Sequence, residues 1–355
     1  MMGKTINETF LQKTVQQMTN KRHNFGAILS VEQGDGDLKW VGAAGNLQAD
    51  DQYFIASVTK LYVTAVVLML RGEGRLQLDE PISTYLPEEV ISGLHVLDGI
   101  DYSEKITIQH LISNTSGIPD YFAYKQDDGT TVADLLFKGE DKSWPLEKVL
   151  TLTKEMKPTF KPGQKGKVNY SDTNYQLLGR IIENITNMSI NEVFKRYIFD
   201  ELGLTKTYVY DDVNDQKPAA LHYKSRTIRL PHYMSSISAE GGIVSTAQET
   251  MQFLRAFSSG YFFPEEQLEE LKQWQLIFFP GAFYYGIGLE KLWMPRIYSP
   301  FKPINEIIGF WGQTGAFAFY NVERDLFFTG TVNQSSGFGH SAAVKAMIRI
   351  IRAVS

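Results

Sequence analysis

Tyr53-Phe54-Ile55-Ala56-Ser57-Val58-Thr59-Lys60 runs without a break into Leu61-Tyr62-Val63-Thr64-Ala65-Val66-Val67-Leu68-Met69-Leu70-Arg71. The pattern predicts a turn feeding a helix. From Val58 to Leu70 only Thr59, Lys60 and Thr64 are clearly polar, so the helix is apolar nearly all round and is expected to be buried. A lysine inside such a helix needs a reason. Ser57 falls where the helix start leaves backbone N–H groups unpaired, and Lys60 follows one turn later, a spacing that brings the ammonium back toward the serine hydroxyl. A nucleophile and its base would then lie together. A Ser-x-x-Lys string also arises about once by chance in a chain of this length, as an N-cap serine followed by a lysine that snorkels to the surface. The remainder of the chain has to decide.

The 355 residues, 43% hydrophobic and 21% charged, suffice for a large core and two subdomains. A formal charge of −5 gives no basic face, so nucleic acid and anionic membranes have no electrostatic attraction to the chain. With no cysteine, disulfides, thiol catalysis and cysteine-ligated metals are excluded. His23, His95, His110, His222, His232 and His340 form no metal-ligand spacing, and neither metal nor cofactor is expected. The first ten residues lack the apolar run of a signal peptide and no later stretch is long enough to span a bilayer. The expectation is a soluble chain, cytoplasmic as it stands or the mature part of an exported protein.

Residues 4–22 read as an amphipathic leading helix with Phe10, Leu11, Val15 and Met18 on one face. Phe25 to Glu32 and Leu38 to Ala43, joined by Gln33-Gly34-Asp35-Gly36-Asp37, give a strand–turn–strand signature. From about 76 to 224 helices dominate. Thr107 caps a short helix carrying Ile108, Leu111 and Ile112, and a longer one follows Asp172 with Leu177, Leu178, Ile181, Ile182 and Ile185 on its buried face. A helix from Thr246 to Phe257 leads to an aromatic stretch, Trp274 to Tyr285. Gly309 to Tyr320 and Leu326 to Gln334 read as a final hairpin, closed by a helix from Ala342 to Val354. Consecutive hairpins at both ends imply one antiparallel sheet, hence an α+β fold. Residues 1–75 with 225–355 would form the sheet subdomain, and 76–224 a mainly helical insertion.

Three stretches come into register: Ser57-Val58-Thr59-Lys60, Tyr170-Ser171-Asp172 at the start of a helix, and Gly312-Gln313-Thr314-Gly315-Ala316 on what reads as the penultimate strand. Together they resemble the serine β-lactamase and penicillin-binding protein superfamily, in particular the branch holding class C β-lactamases, D-Ala-D-Ala carboxypeptidases, D-aminopeptidases and related esterases. The resemblance extends over nearly the whole chain through Ile106 to Tyr121, Lys161-Pro162-Gly163 and Gly241-Gly242-Ile243-Val244-Ser245-Thr246. It implies a β-lactamase/transpeptidase-like fold, with a central antiparallel sheet flanked by helices.

A serine hydroxyl is a poor nucleophile until a base takes its proton, and a buried lysine, or a tyrosine beside it, can do so. The resemblance therefore implies Ser57 as nucleophile and Lys60 and Tyr170 jointly as the base. A positive charge beside Tyr170 would favour tyrosinate, and burial would disfavour the ammonium. It further implies backbone N–H groups of Ser57 and Ala316 as oxyanion donors. Two positions depart from the family. Asp172 stands where relatives usually have Asn; a carboxylate only accepts hydrogen bonds unless protonated, so capping its helix and pairing with Lys60 is expected ahead of substrate contact. Gln313 stands where many relatives have Lys or His, which weakens recognition of a substrate carboxylate while Thr314 and Gly315 keep the register.

Gly-x-Ser-x-Gly, the elbow of α/β-hydrolases, is absent. Gly337-Phe338-Gly339-His340-Ser341-Ala342 has no βαβ unit after it and reads as a tight turn, not a dinucleotide site. Asp172 and Gln313 also fit a catalytically silent binding or regulatory protein on the same fold, but retention of Ser57, Lys60 and Tyr170 favours an enzyme. The expected function is a serine hydrolase forming an acyl-enzyme on Ser57. Its substrates would be small molecules or peptides, D-amino-acid peptides and amides or small esters, with weak or no β-lactamase activity.

Overall fold

Asn7 accepts the Phe10 N–H at 2.9 Å and starts helix α1, Glu8–Met18. Leu11, Val15 and Met18 turn inward as the helical period requires, whereas Phe10 lies at the edge of that face. The structure, a computed structural model, describes residues 6–20, 22–278, 283–298 and 303–354; residues 4, 5 and 21 of the expected leading helix lie outside that set. Strands β1, Gly26–Gln33, and β2, Lys39–Gly45, then pair antiparallel.

The ends of the chain meet in one sheet. Its eight strands run in the order Gln275–Ile277, Phe283–Tyr285, Glu290–Leu292, Ile307–Trp311, Ala316–Asn321, Leu326–Thr331, β1, β2, every pair antiparallel. The two-residue period of a strand divides its side chains between two cores. Phe317, Phe319 and Phe328 pack with α1 and the C-terminal helix, Gly337–Ala353. Ala316, Ala318 and Phe310 face helix α2, Thr59–Gly72, and the helix Ala247–Ser258. This is the mixed, antiparallel-sheet architecture expected from the sequence.

As its composition requires, α2 is buried almost throughout, Lys60 and Thr64 included at 0% exposure. It enters from strand β3, Tyr53–Phe54, which pairs with Ile243–Ser245; that strand in turn pairs with Tyr208–Val209. Helices outweigh strands between residues 76 and 224, among them Ile108–Ile112, capped by Thr107, and Asp172–Thr186.

Two expectations are corrected. Gly309 to Tyr320 is not one arm of a hairpin: Ile307–Trp311 and Ala316–Asn321 are separate paired strands, and Gly312 to Gly315 form the turn between them. The apolar pattern continues across that turn, which hides it. Gly337 to Ala342 is not a tight turn but the beginning of the last helix, which starts at Gly337 after Ser336. Glycine is the poorest helix former after proline, which hides the first turn of this helix in the sequence. Among the described residues no helix is long and apolar enough to cross a membrane.

Candidate active site

The chain reaches Ser57 through a sharp change of direction. Ile55 still donates its N–H to Ile243 O at 3.0 Å, and Ala56 then takes a left-handed φ of 47°, a conformation that costs an L-residue about 1–2 kcal/mol. The kink opens a single 3-10 turn, Ala56–Val58, ahead of α2 and leaves Ser57 at its side, part-exposed. Two contacts hold the kink from the sheet. The Thr314 hydroxyl donates to Phe54 O at 2.7 Å, and Gly312 comes so close that a Cβ would lie 2.3 Å from Ile55 O. The turn before Ala316 is thereby clamped to the residues just before Ser57.

Lys60 completes the centre. Its Nζ donates to Ser57 Oγ at 3.0 Å and to Glu240 O at 2.7 Å, and lies 2.7 Å from Asp172 Oδ1. The rings of Tyr170 and Tyr175 flank it, with centroids at 5.3 and 5.2 Å. Burial first, then the negative charges of Asp172 and Glu290, push the Tyr170 hydroxyl well above the usual phenol range, against the opposing influence of the Ser57 side chain. This differs from the sequence expectation, in which Lys60 favours tyrosinate, because burial of the phenol and the adjacent Asp172 charge act in the opposite direction.

Asp172 is the first residue of the helix Asp172–Thr186, after Ser171, and pairs with Lys60 as expected. The stretch around residues 114–120 fixes that helix start. Asn114 Oδ1 accepts from Ser171 N at 3.1 Å and from Asn174 Nδ2 at 2.8 Å, Ser116 Oγ donates to Asn174 Oδ1 at 2.8 Å, and Asp120 Oδ1 accepts from Asp172 N at 3.1 Å. Its role is to hold Tyr170 and Asp172 in place.

Three further carboxyls face the centre. Glu240, 2% exposed, accepts from the Tyr121 hydroxyl at 2.5 Å through Oε1, and its Oε2 has no hydrogen-bond partner among the described residues; burial, then the Asp172 charge, push it well above the usual carboxyl range. Asp120 is pushed up to about 8 by burial and by Asp172. Glu290 is pushed up to about 8 by burial, against the Trp311 N–H it accepts at 3.1 Å and the charge of Lys60. Asp120 lies within a stretch singled out in the sequence and Glu240 directly precedes Gly241-Gly242. Glu290 carries no sequence signal at all.

Gln313 turns its Nε2 to Ser335 O at 3.0 Å. His340 is bonded to Gly312 O at 3.0 Å and stacks obliquely on Trp311, with burial lowering its pKa. Above Ser57 opens a cavity of about 640 Å³ whose walls are largely apolar. Phe283 of the aromatic stretch lines it, while Tyr285 packs beneath with its hydroxyl 2.7 Å from that of Tyr175; residues 279–282 of that stretch lie outside the described set. Among the described residues no group of three or more His, Asp or Glu side chains could hold a metal ion.

The model of the family described as Beta-lactamase matches residues 11–349. Penicillin-binding protein 4* of Bacillus subtilis (strain 168) is 23% identical over 291 residues, 72% of this chain and 57% of its own. Among solved structures, a D-stereospecific amidohydrolase from Streptomyces sp. superposes with a TM-score of 0.77 at 24% identity, covering 95% of this chain and 98% of its own. EstCE1, described as a hydrolase with promiscuous acyltransferase activity, superposes with a TM-score of 0.78 at 20% identity, covering 97% of each. The chain spans about half the length, or less, of the curated relatives it matches.

Proposed function

The chain belongs to the beta-lactamase family, and from that premise we propose that it is a serine hydrolase working through an acyl-enzyme on Ser57, on D-amino-acid peptides or amides or small esters. One observation carries the reading: Ser57 Oγ, Lys60 Nζ and Asp172 Oδ1 form a chain of contacts at 3.0 and 2.7 Å, with the Tyr170 ring flanking the same ammonium at 5.3 Å. A nucleophile, a proton acceptor and a proton donor share one point.

Ser57 Oγ attacks the substrate carbonyl and its proton passes to the Lys60–Asp172 pair, which holds it as a unit. The N–H groups of Ser57 and Ala316 serve the developing oxyanion; Gly312 and Thr314 support this by docking the turn before Ala316 onto residues 54 and 55. Tyr170, kept neutral by its surroundings, is placed to give a proton to the leaving group as the carbonyl reforms. Water then repeats the sequence on the acyl-enzyme with the roles reversed.

The similarity to proteins described as an amidohydrolase and as EstCE1 supports amides and esters as substrate classes. The cavity adds a reason to disfavour anionic substrates: Gln313 is turned to Ser335 and brings no cation, and the Lys60 ammonium beside Ser57 is taken up by Asp172. Weak or absent β-lactamase activity follows.

The test uses a fluorophosphonate probe, a p-nitrophenyl ester, a D-Ala-D-Ala peptide and a chromogenic cephalosporin on the parent and on Ser57→Ala. Labelling and ester turnover in the parent, both lost in the variant, are expected. Absence of both in the parent overturns the enzyme reading, and turnover that survives Ser57→Ala places the nucleophile elsewhere.

A further inference from the structure

Lys60 has no proton to spare for a second carboxylate. An ammonium carries three N–H donors, and those of Lys60 go to Ser57 Oγ at 3.0 Å, to Glu240 O at 2.7 Å and to Asp172 Oδ1 at 2.7 Å. Asp120 is bound to the same helix start: its Oδ1 accepts the N–H of Asp172 at 3.1 Å and that of Phe122 at 3.3 Å. Among the described residues Asp120 takes part in no ion pair, not even with Lys125, a second ammonium that lines the cavity, and no hydrogen bond reaches its Oδ2.

An ionised Asp120 would set a second negative charge beside Asp172 in largely apolar surroundings, which costs more than keeping the proton. Burial and the Asp172 charge accordingly push its carboxyl up to about 8. A protonated carboxyl has one O–H to give. Because Oδ1 already accepts twice, the proton sits on Oδ2, the oxygen that finds no partner within the protein. Glu240 also holds its proton, but its free oxygen is buried, whereas Asp120 is part-exposed and lines the cavity above Ser57. Asp120 stands between the reacting centre and an aromatic wall. Phe122, whose N–H it accepts, packs with Phe137 and Tyr233 at ring separations of 6.3 and 6.2 Å, and all three line the cavity. Tyr170, placed to serve the leaving group, packs instead on Phe283 and Tyr285 at 6.5 and 6.0 Å, which leaves the Phe122 wall to the acyl part.

Resting on the hydrolase reading above, the geometry points to Asp120 as a neutral acid that donates from Oδ2 to a second carbonyl oxygen of the substrate, carried in the acyl part between the scissile carbonyl and an apolar group seated on Phe122, Phe137 and Tyr233. Asp120 is a specificity residue in this scheme and takes no part in the acyl transfer. The bond exists only while the proton is there. Once Asp120 ionises, its oxygens and the substrate carbonyl are all acceptors and face each other with no hydrogen between them. The groups that sense Asp120 are Asp172, Lys60, Glu240 and Tyr233; their own ionisations act on any ligand in the cavity and cancel when two ligands are compared that differ only in this oxygen.

Binding is measured in the Ser57→Ala protein, where turnover does not interfere, by calorimetry with 4-oxo-4-phenylbutanamide and 4-phenylbutanamide, which differ by that one carbonyl oxygen. At pH 6.5 the ketone is expected to bind about three- to tenfold more tightly, the scale of one hydrogen bond. At pH 9.5 the two should bind alike. Asp120→Asn retains the Oδ1 acceptor and puts an N–H that does not titrate in the place of the acid proton, so in that variant the ketone should keep its advantage at both pH values. Glu240→Gln should leave the pH-dependent pattern as it was. Equal affinities or no binding at pH 6.5, an advantage that persists at pH 9.5 with Asp120 in place, or one that is lost in Asp120→Asn or in Glu240→Gln overturns the assignment. Fluorophosphonate labelling of the unmodified protein is read alongside. Labelling without a ketone preference overturns the donor alone; a ketone preference without labelling overturns the hydrolase reading alone.

Discussion

Gly312 approaches Ile55 so closely that a methyl group on its Cα would lie 2.3 Å from the Ile55 carbonyl oxygen. Two segments more than 250 residues apart in sequence are in this way pressed together immediately before Ser57 and Ala316, the two residues assigned to the oxyanion hole. Gly312→Ala must push the turn away from the nucleophile or distort the kink at Ala56. Loss of one oxyanion donor costs roughly 100- to 1000-fold in kcat, and that is the fall expected here in p-nitrophenyl ester hydrolysis, with an unchanged far-ultraviolet circular dichroism spectrum. A variant within about threefold of the parent would show that the contact does not position the donors.

Asp172 gives a second prediction. Lys60 is entirely buried and Asp172 is its carboxylate partner at 2.7 Å, and removing one member of a buried ion pair costs about 3–5 kcal/mol. Asp172→Ala should lose stability on that scale in urea unfolding. Asp172→Asn keeps an oxygen that accepts from Lys60 and should lose less. Both should lower kcat more than they raise KM if, as proposed, the pair takes the proton of Ser57. An alanine variant as stable as the parent would show that the bond from Lys60 to Glu240 O suffices for the lysine.

How much of this could be read from the sequence depended on the range of the interaction. The pairing of Ser57 with Lys60 was legible because one helical turn relates them, and burial of α2 followed from its composition. Tyr170 and Asp172 were legible as a string at a helix start, and the ion pair of Asp172 was one of two expected roles. Glu240 and Glu290 were not legible. Each is forced into the centre by strand or loop pairing with segments far along the chain, and an isolated glutamate in sequence reads as a solvated one. The direction in which Tyr170 is pushed was not legible either, because it is set first by burial, which depends on the folded surroundings. The turn at residues 312–315 was misplaced onto a strand because apolar alternation runs on either side of it.

Glu290 makes stability depend on pH. In the unfolded chain its carboxyl ionises near 4.5, whereas in the folded protein burial holds the proton to about 8. Below about 4.5 both states are protonated and the contribution is fully present. As the pH rises, the unfolded chain releases its proton first, so stability falls progressively and is lost by the folded value near 8. The shift sets a ceiling of about 5 kcal/mol, at about 1.4 kcal/mol for each unit. Lys60, Tyr170, Tyr175 and Tyr285 are the charged and titratable groups that sense this carboxyl, and Asp120 adds a slope of the same sign. Glu290→Gln should therefore gain in Tm relative to the parent between pH 5 and pH 8. Parallel Tm curves for the two proteins over that range would show that Glu290 is already ionised in the folded state.

Gln313 tests the exclusion of anionic substrates. Its side chain is tied to Ser335 O at 3.0 Å and offers no charge to the cavity. Gln313→Lys places an ammonium on the turn beside the nucleophile, where a carboxylate-bearing substrate can use it. The ratio of kcat/KM for a chromogenic cephalosporin to that for a neutral p-nitrophenyl ester should rise at least about tenfold, the scale of one charge-assisted hydrogen bond. If Gln313→Lys does not gain on the cephalosporin, the residue at 313 does not set the preference.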